Sequence, residues 1–186
     1  MPRPDQEARR PARLHHQAFV CRDLAETRRF YEDVLGFPLV ATWCEEEDVM
    51  GEHLIYCHTF FELADGSSVA FFQFADPAHH ASYAPSGPAS PFIHLALKVD
   101  EETQLELQRR LEAAGFGAFL LHHGYCRSLY VTDPNGLNLE FTLDHPEADA
   151  IQRTRAATAR ADLERWLAGD RSPNTAWRDA AREEKA

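Results

Sequence analysis

This sequence has no long apolar run, no basic surplus and no closely spaced cysteine pair, and each absence removes a class of function. No window approaches the roughly eighteen consecutive apolar residues of a membrane span, so no membrane partner is expected. The 19 lysines and arginines are outnumbered by 30 acidic residues, for a net charge of −11. Phosphate contact needs a basic face, so no nucleic-acid partner is expected either. The four cysteines, Cys21, Cys44, Cys57 and Cys126, form no CxxC pair and lie in or near apolar runs. They read as reduced thiols of a cytoplasmic protein. The opening MPRPDQEARRPAR is charged and proline-rich without the apolar stretch of a signal peptide. Residues 1–12 are therefore an expected disordered tail.

What the chain does have is 44% apolar residues over 186 positions, with 26% charged. That is enough to bury one domain, or two small modules sharing a core. It also repeats itself. LHHQAFVCRDLAETRRFYEDVLGF runs from Leu14 to Phe37, and FIHLALKVDEETQLELQRRLEAAGF from Phe92 to Phe116. Each opens with a strand-like stretch holding a histidine. Each then supplies an aspartate able to cap a helix, Asp23 or Asp100, and a helical segment ending in Gly-Phe. His16 stands 20 residues before Gly36, and His94 stands 21 before Gly115. Leu24, Thr27, Tyr31, Val34 and Leu35 mark the buried face of the first helix, and Thr103, Leu107, Leu111 and Ala114 that of the second. LADGSSVAFFQF and TDPNGLNLEFTL follow as turn-bearing strand pairs. Each copy thus reads as strand, helix, then two or three antiparallel strands, with modules at about 13–76 and 91–145 and a linker at 77–90. Beyond His145 the alanine-rich, charged sequence predicts a helical extension over 146–186. Its few apolar anchors, Ile151, Leu163, Trp166 and Leu167, suit a packed or interface-covering helix.

Period-two alternation assigns faces to the strands. Ile93, Leu95, Leu97 and Val99 share one face and should pack under the second helix; His94, Ala96 and Lys98 take the other. Leu137, Leu139, Phe141 and Leu143 alternate with Asn138, Glu140 and Thr142, and Leu129 and Val131 with Ser128, Tyr130 and Thr132. His94, Tyr130 and Glu140 should therefore look out from the side of the sheet that lacks the helix. A buried, unpaired carboxylate costs several kcal/mol, roughly, so Glu140 should be exposed, paired or holding a metal. In the first copy neither face of Leu14–Cys21 is plainly polar, and the repeat matches His16 rather than His15 to His94.

HHQAFVCRDLAETRRFYEDVLGF together with SLYVTDPNGLNLEF resembles the vicinal oxygen chelate superfamily over about residues 13–145. That family includes glyoxalases, fosfomycin-resistance transferases, methylmalonyl-CoA epimerases, bleomycin-binding proteins and extradiol ring-cleaving dioxygenases. The resemblance implies an α+β fold of two βαβββ modules forming a cupped, barrel-like mixed sheet with helices outside, around a divalent metal. The first strand of each module would give a ligand, His16 and His94, and the last strand of the second would give Glu140. At the corresponding place in the first module stands Ala70, with Gln73 and Glu62 nearby but out of register. Three ligands with open positions suit Fe(II), with Mn(II), Ni(II), Zn(II) and Co(II) as further candidates.

The run His123, Leu129-Tyr130, Asp133-Pro134, Gly136, Glu140 is similar to the signature of extradiol dioxygenases, which implies that His123 and Tyr130 are catalytic groups flanking the substrate. That family's acid–base histidine falls near Ser67 or Ser68 here, and His79 and His80 in the linker are candidates to replace it. The implied activity is ring cleavage of a catechol-like aromatic with Fe(II) and O2; a homodimer remains open. A second reading is a glyoxalase-type lyase, isomerase or thiol transferase using a redox-inert metal, which a fourth ligand such as Gln73 would favour. A third is a metal-free small-molecule binding protein, whose mark would be loss of the ligands. Phe60, Phe61, Phe71, Phe72 and Phe74 could wall a substrate ring or form core.

Overall fold

Both candidate capping aspartates act as caps. The Asp23 carboxylate accepts the Glu26 N–H at 2.8 Å and the Asp100 carboxylate accepts the Thr103 N–H at 2.8 Å, each satisfying a donor that the first helical turn leaves over. The structure, a computed structural model, describes residues 10–175, so most of the expected tail lies outside the described residues. The chain divides into two units, Met1–Gly87 and Pro88–Ala186, and the break falls inside the expected linker.

The first unit runs β1 (His16–Val20), α1 (Leu24–Arg28, continued by a π-helical turn over Arg29–Val34), β2 (Leu39–Val49), β3 (Glu52–Glu62), β4 (Ser68–Phe74) and a short α2 (Pro77–Tyr83). The second runs β5 (His94–Lys98), α3 (Glu101–Ala113), β6 (Ala118–His122), β7 (Cys126–Thr132), β8 (Asn138–Asp144) and α4 (Ala148–Leu167). Each unit holds a four-stranded mixed sheet, ordered β1-β4-β3-β2 in the first and β5-β8-β7-β6 in the second. In each, the first and last strands pair in parallel and the rest antiparallel. This is the α+β, twice βαβββ arrangement that the repeat predicts.

In the first unit Tyr31 of the helical segment packs against Phe61 and Phe71, with ring centroids 5.5 and 4.8 Å away. All three rings are fully buried, each contributing roughly 1.5–3 kcal/mol over exposure. The helix therefore covers the face that carries Phe19, Phe61 and Phe71, and leaves the face of His16, Ala18 and Ala70 on the other side. In the second unit Leu107 and Leu111 are buried with Leu129, Val131, Leu139 and Phe141. The helix periodicity puts Thr103 on this face, but the buried residue is its neighbour Gln104. Its side-chain N–H2 donates to the carbonyls of Arg127 (3.1 Å) and Phe141 (2.7 Å), and its carbonyl accepts from the Arg127 guanidinium at 2.8 Å. A fully paired amide can be buried without the usual penalty.

Three further features depart from the sequence reading. The linker is partly helical: Asp76 caps α2 and Pro77 opens it. Between β2 and β3 the chain turns on Met50 and Gly51, both at positive φ (54° and 88°). The C-terminal helix forms, but none of its residues is buried, and Leu163, Trp166 and Leu167 are 57%, 50% and 72% exposed. The Arg171 guanidinium lies 4.5 Å over the Trp166 ring and Ile151 is half-buried, so the expected anchors are only partly covered among the described residues. No helix among those residues is long and apolar enough to cross a membrane.

Candidate metal and substrate site

The sheet registers make the two units position-for-position equivalents. In the first, His16 pairs Ser68, Ala18 pairs Ala70 and Phe60 pairs Ala70. In the second, His94 pairs Asn138, Ala96 pairs Glu140 and Tyr130 pairs Glu140. His16 and His94 are thus matched, Ala70 sits where Glu140 sits, Phe60 stands for Tyr130, and His58 (opposite Phe72) stands for Ser128 (opposite Thr142).

On the open face of the second sheet a hydrogen-bonded cluster surrounds Glu140, which is 7% exposed. His94 Nε2 lies 3.0 Å from Glu140 Oε2, and Ser128 Oγ donates to Oε1 at 2.6 Å. Burial pushes the Glu140 pKa up, but hydrogen bonds from Ser128, Tyr130 and Thr142 and the nearby His94 outweigh it, and the group ends below the usual carboxylate range. Burial and the adjacent carboxylate raise the Tyr130 pKa to about 12, so its hydroxyl stays protonated at neutral pH. An ionised carboxylate only accepts, so Tyr130's single O–H goes to Glu140. The contact of 3.0 Å between Tyr130 Oη and His123 Nε2 then requires the proton on Nε2, which fixes the His123 tautomer. The same reasoning orients the thiol. Ser128's proton is committed to Glu140, so Cys126 Sγ, 3.7 Å away, donates to Ser128 Oγ.

The local chain explains this convergence. Asp133 of the DPNG turn accepts the N–H groups of Asn135 (2.9 Å) and Leu137 (2.8 Å), and Gly136 adopts φ 88°. That tight turn sets the register of β8 against β7 and places Glu140 opposite Tyr130. His123 N–H donates to Cys126 O at 2.9 Å across the β6–β7 connection, where Gly124 takes φ 85°.

On the matching face of the first sheet His16 is exposed, and its Nδ1 lies 2.8 Å from His15 Nδ1, which leaves Nε2 for a ligand. His58 stacks on Phe72 at 3.7 Å and lies 6.1 Å from the His16 ring. Among the described residues its Nε2 is a buried side-chain nitrogen with no hydrogen-bond partner. Burial, reinforced by His16, lowers its pKa to about 4, so it is neutral at physiological pH.

Other sequence candidates take structural places. Gln73 Oε1 accepts the Leu24 N–H at 2.7 Å, capping α1 from the helix side of the sheet, so it is not on the His16 face. Glu62, opposite Ser68, is on that face and exposed. His80 accepts from Phe74 N (3.4 Å) through Nδ1 and donates through Nε2 to Arg22 O (3.1 Å), which pins α2 and occupies both ring nitrogens. The phenylalanines divide: Phe61 and Phe71 are core, while Phe60 and Phe72 accompany His58 and His16 on the open face.

Residues 13–141 match the Glyoxalase/Bleomycin resistance protein/Dioxygenase superfamily. The chain belongs to this superfamily. Solved structures with the same fold include a glyoxylase/bleomycin resistance protein/dioxygenase domain from Frankia sp. EAN1pec, at 16% identity and TM-score 0.58, covering 74% of this chain and 95% of that one. The genomically encoded fosfomycin resistance protein FosX from Listeria monocytogenes is similar at 18% identity and TM-score 0.53, covering 75% and 98%. FosX has also been solved with Mn(II) and sulfate; that structure matches at 17% identity and TM-score 0.53, covering 76% and 99%. No curated protein matches the chain.

Members of this superfamily bind divalent metals, and the donors present suit one. An imidazole and a carboxylate already meet at 3.0 Å in His94 and Glu140, and both are of the N/O type that such ions accept. His123, Cys126 and Glu140 also bring ligand atoms within 4.8 Å of one another. Sequence reasoning passed over Ser128, Cys126 and His58. Ser128 and Cys126 were within its reach, because they share Tyr130's alternation parity. His58 was not, because the Met50-Gly51 turn that opens β3 carries no conventional turn residue pair.

Proposed function

We propose that this superfamily member is a metal-dependent enzyme that acts on a small molecule with two neighbouring oxygens, using His16, His94 and Glu140 as ligands. We propose further that it is an extradiol-type dioxygenase of catechol-like aromatics. The observation that supports this best is the chain His123–Tyr130–Glu140, a fixed imidazole and a protonated phenol hydrogen-bonded beside the candidate carboxylate ligand. A bound Fe(II) would supply charge stabilisation and the redox capacity to bring substrate and O2 together. The protein's own residues do the rest. His94 and Glu140 are held in place by each other and by Ser128 before any ion arrives, which preorganises the site. Tyr130, being protonated, would turn its single O–H from Glu140 to an anionic substrate oxygen once the carboxylate is engaged by the metal, and His123 stands behind it to return or take a proton. Phe60 and Phe72 offer flat apolar surface on the equivalent face of the first unit.

A second reading is kept because a specific observation favours it: the likeness to FosX, a fosfomycin resistance protein solved with Mn(II). A Lewis-acid enzyme that opens a strained or thiol-bearing substrate would use the same ligands and the same Tyr130 donor. The placement of Gln73 under α1 weakens that reading's four-ligand form.

Anaerobically prepared protein loaded with Fe(II) or with Mn(II), Zn(II) or Ni(II) separates the two. Oxygen uptake on a catechol panel with Fe(II) alone is the expected result, and anaerobic turnover of an epoxide or hemithioacetal with a redox-inert metal would reverse it. His94→Ala should lose the metal with the fold retained. Tyr130→Phe should lower turnover by about tenfold to a thousandfold while metal content stays at the wild-type level, as removal of one transition-state donor does.

A further inference from the structure

We propose that His123, Cys126 and Glu140 form a second metal position, which shares Glu140 with the centre proposed above and selects thiophilic divalent ions such as Zn(II). The inference needs no contribution from His16, so it stands or falls separately from that centre.

A ring nitrogen of His123, Cys126 Sγ and a Glu140 carboxylate oxygen lie within 4.8 Å of one another. A tetrahedral ion with a metal–sulfur distance of about 2.3 Å and metal–nitrogen of about 2.0–2.1 Å holds its ligand atoms roughly 3.3–3.6 Å apart. Closing the difference takes movement of about 1 Å, within the reach of side-chain torsions on a fixed backbone. The backbone is fixed here: the His123 N–H to Cys126 O bond at 2.9 Å closes the connection that carries two of the ligands. Cys126 is 9% exposed and Glu140 7%, so an ion would exchange few water contacts for protein ones. Ser128 lies between them, 3.7 Å from Sγ and 2.6 Å from Oε1. It is placed to hydrogen-bond the loaded carboxylate, as outer partners of metal ligands commonly do.

The donor set decides the ion. One imidazole, one thiolate and one carboxylate form a borderline-soft site, whereas His16, His94 and Glu140 offer only nitrogen and oxygen. Coordination would release the Cys126 thiol proton to solvent. Because both positions draw on the single Glu140 carboxylate, Zn(II) at the thiolate position would compete for it with a metal at the other. Zinc would thus act as an inhibitor of an enzyme that works with Fe(II) or Mn(II).

Cobalt reports on this directly, since a cobalt–thiolate bond gives a charge-transfer absorption in the near ultraviolet that imidazole and carboxylate ligands do not. Purified full-length protein titrated anaerobically with Co(II) should develop that band. Cys126→Ser and Cys126→Ala should abolish it with far-ultraviolet circular dichroism unchanged, and His16→Ala should keep it. Zn(II) affinity should fall about tenfold or more in Cys126→Ser, while Mn(II) affinity stays the same. A band that survives Cys126→Ser, or no Co(II) binding at all, would overturn the proposal. Co(II) binding without a charge-transfer band, lost in His16→Ala, would overturn it while leaving the three-ligand centre standing.

Discussion

Replacing Ser128 by alanine should be among the costliest small changes on the open face of the second sheet. The hydroxyl donates at 2.6 Å to Glu140 Oε1, and Ser128 itself is fully buried. A hydrogen bond to a charged group contributes about 1.5–3 kcal/mol. His94 and Tyr130 remain to support the carboxylate, so a loss of about 2 kcal/mol is expected. With a urea dependence of roughly 2 kcal/mol per M, the unfolding midpoint of metal-free protein should drop by about 1 M. The informative control is the same substitution made in Glu140→Gln protein. There the acceptor is neutral, and Ser128→Ala should cost only about 1 kcal/mol. The sign with pH also follows. Glu140 titrates below its ordinary value in the fold. The stability it contributes is therefore complete above the unfolded carboxylate pKa and lost as pH falls through the lower, folded value. The cost of Ser128→Ala should shrink over the same acid range. An equal cost in both backgrounds, or a midpoint shift near zero, would refute the picture of a charge-assisted network centred on Glu140.

Two further outcomes test the frame around the site. Met50 holds φ 54° at the tip of the β2–β3 hairpin and is 98% exposed, a backbone state that costs an L-residue about 1–2 kcal/mol. Met50→Asn, giving the favoured Asn-Gly turn, should raise thermal stability by about 1 kcal/mol, and a lowered melting temperature would contradict the turn assignment. Burial raises the Cys21 thiol pKa to about 11, whereas Cys44 is exposed. A disulfide reagent at neutral pH should therefore label Cys44 first and Cys21 only on unfolding. Stability contributed by the buried neutral Cys21 should be intact below the ordinary thiol pKa of 9.0 and be lost as pH rises through about 11. Early labelling of Cys21 would show that β1 opens more readily than its burial allows.

Much of this was legible in the sequence because it rests on short-range rules. Asp23, Asp100 and the DPNG turn act locally, and the period-two alternation that separates Glu140 from Leu139 is a property of any strand. What escaped depends on contacts between distant segments. The hairpin at Met50-Gly51 is set by the pairing of two eleven-residue strands, and methionine carries no turn signal of its own. Gln104 rather than Thr103 faces the core because two carbonyls and a guanidinium happen to meet its amide. Gln73, near the candidate ligands in sequence, is turned by strand parity to the opposite face, where an unsatisfied helix N–H awaits it. The apolar residues of α4 have the right composition for packing, but composition does not specify a partner.

The matched registers of the two units also bear on how such a protein changes over time. Ala70 holds the place of Glu140, and His58, whose buried nitrogen has no partner among the described residues, holds the place of Ser128. The half without the carboxylate thus already stores a polar neighbour for one. A single exchange at codon 70, alanine to glutamate, would meet an imidazole instead of bare hydrocarbon, so much of the usual penalty for a new buried charge would be offset. Two halves matched in this way keep open a route to a carboxylate in the first module, beside the proposed ligand His16, that the folded protein of today does not use.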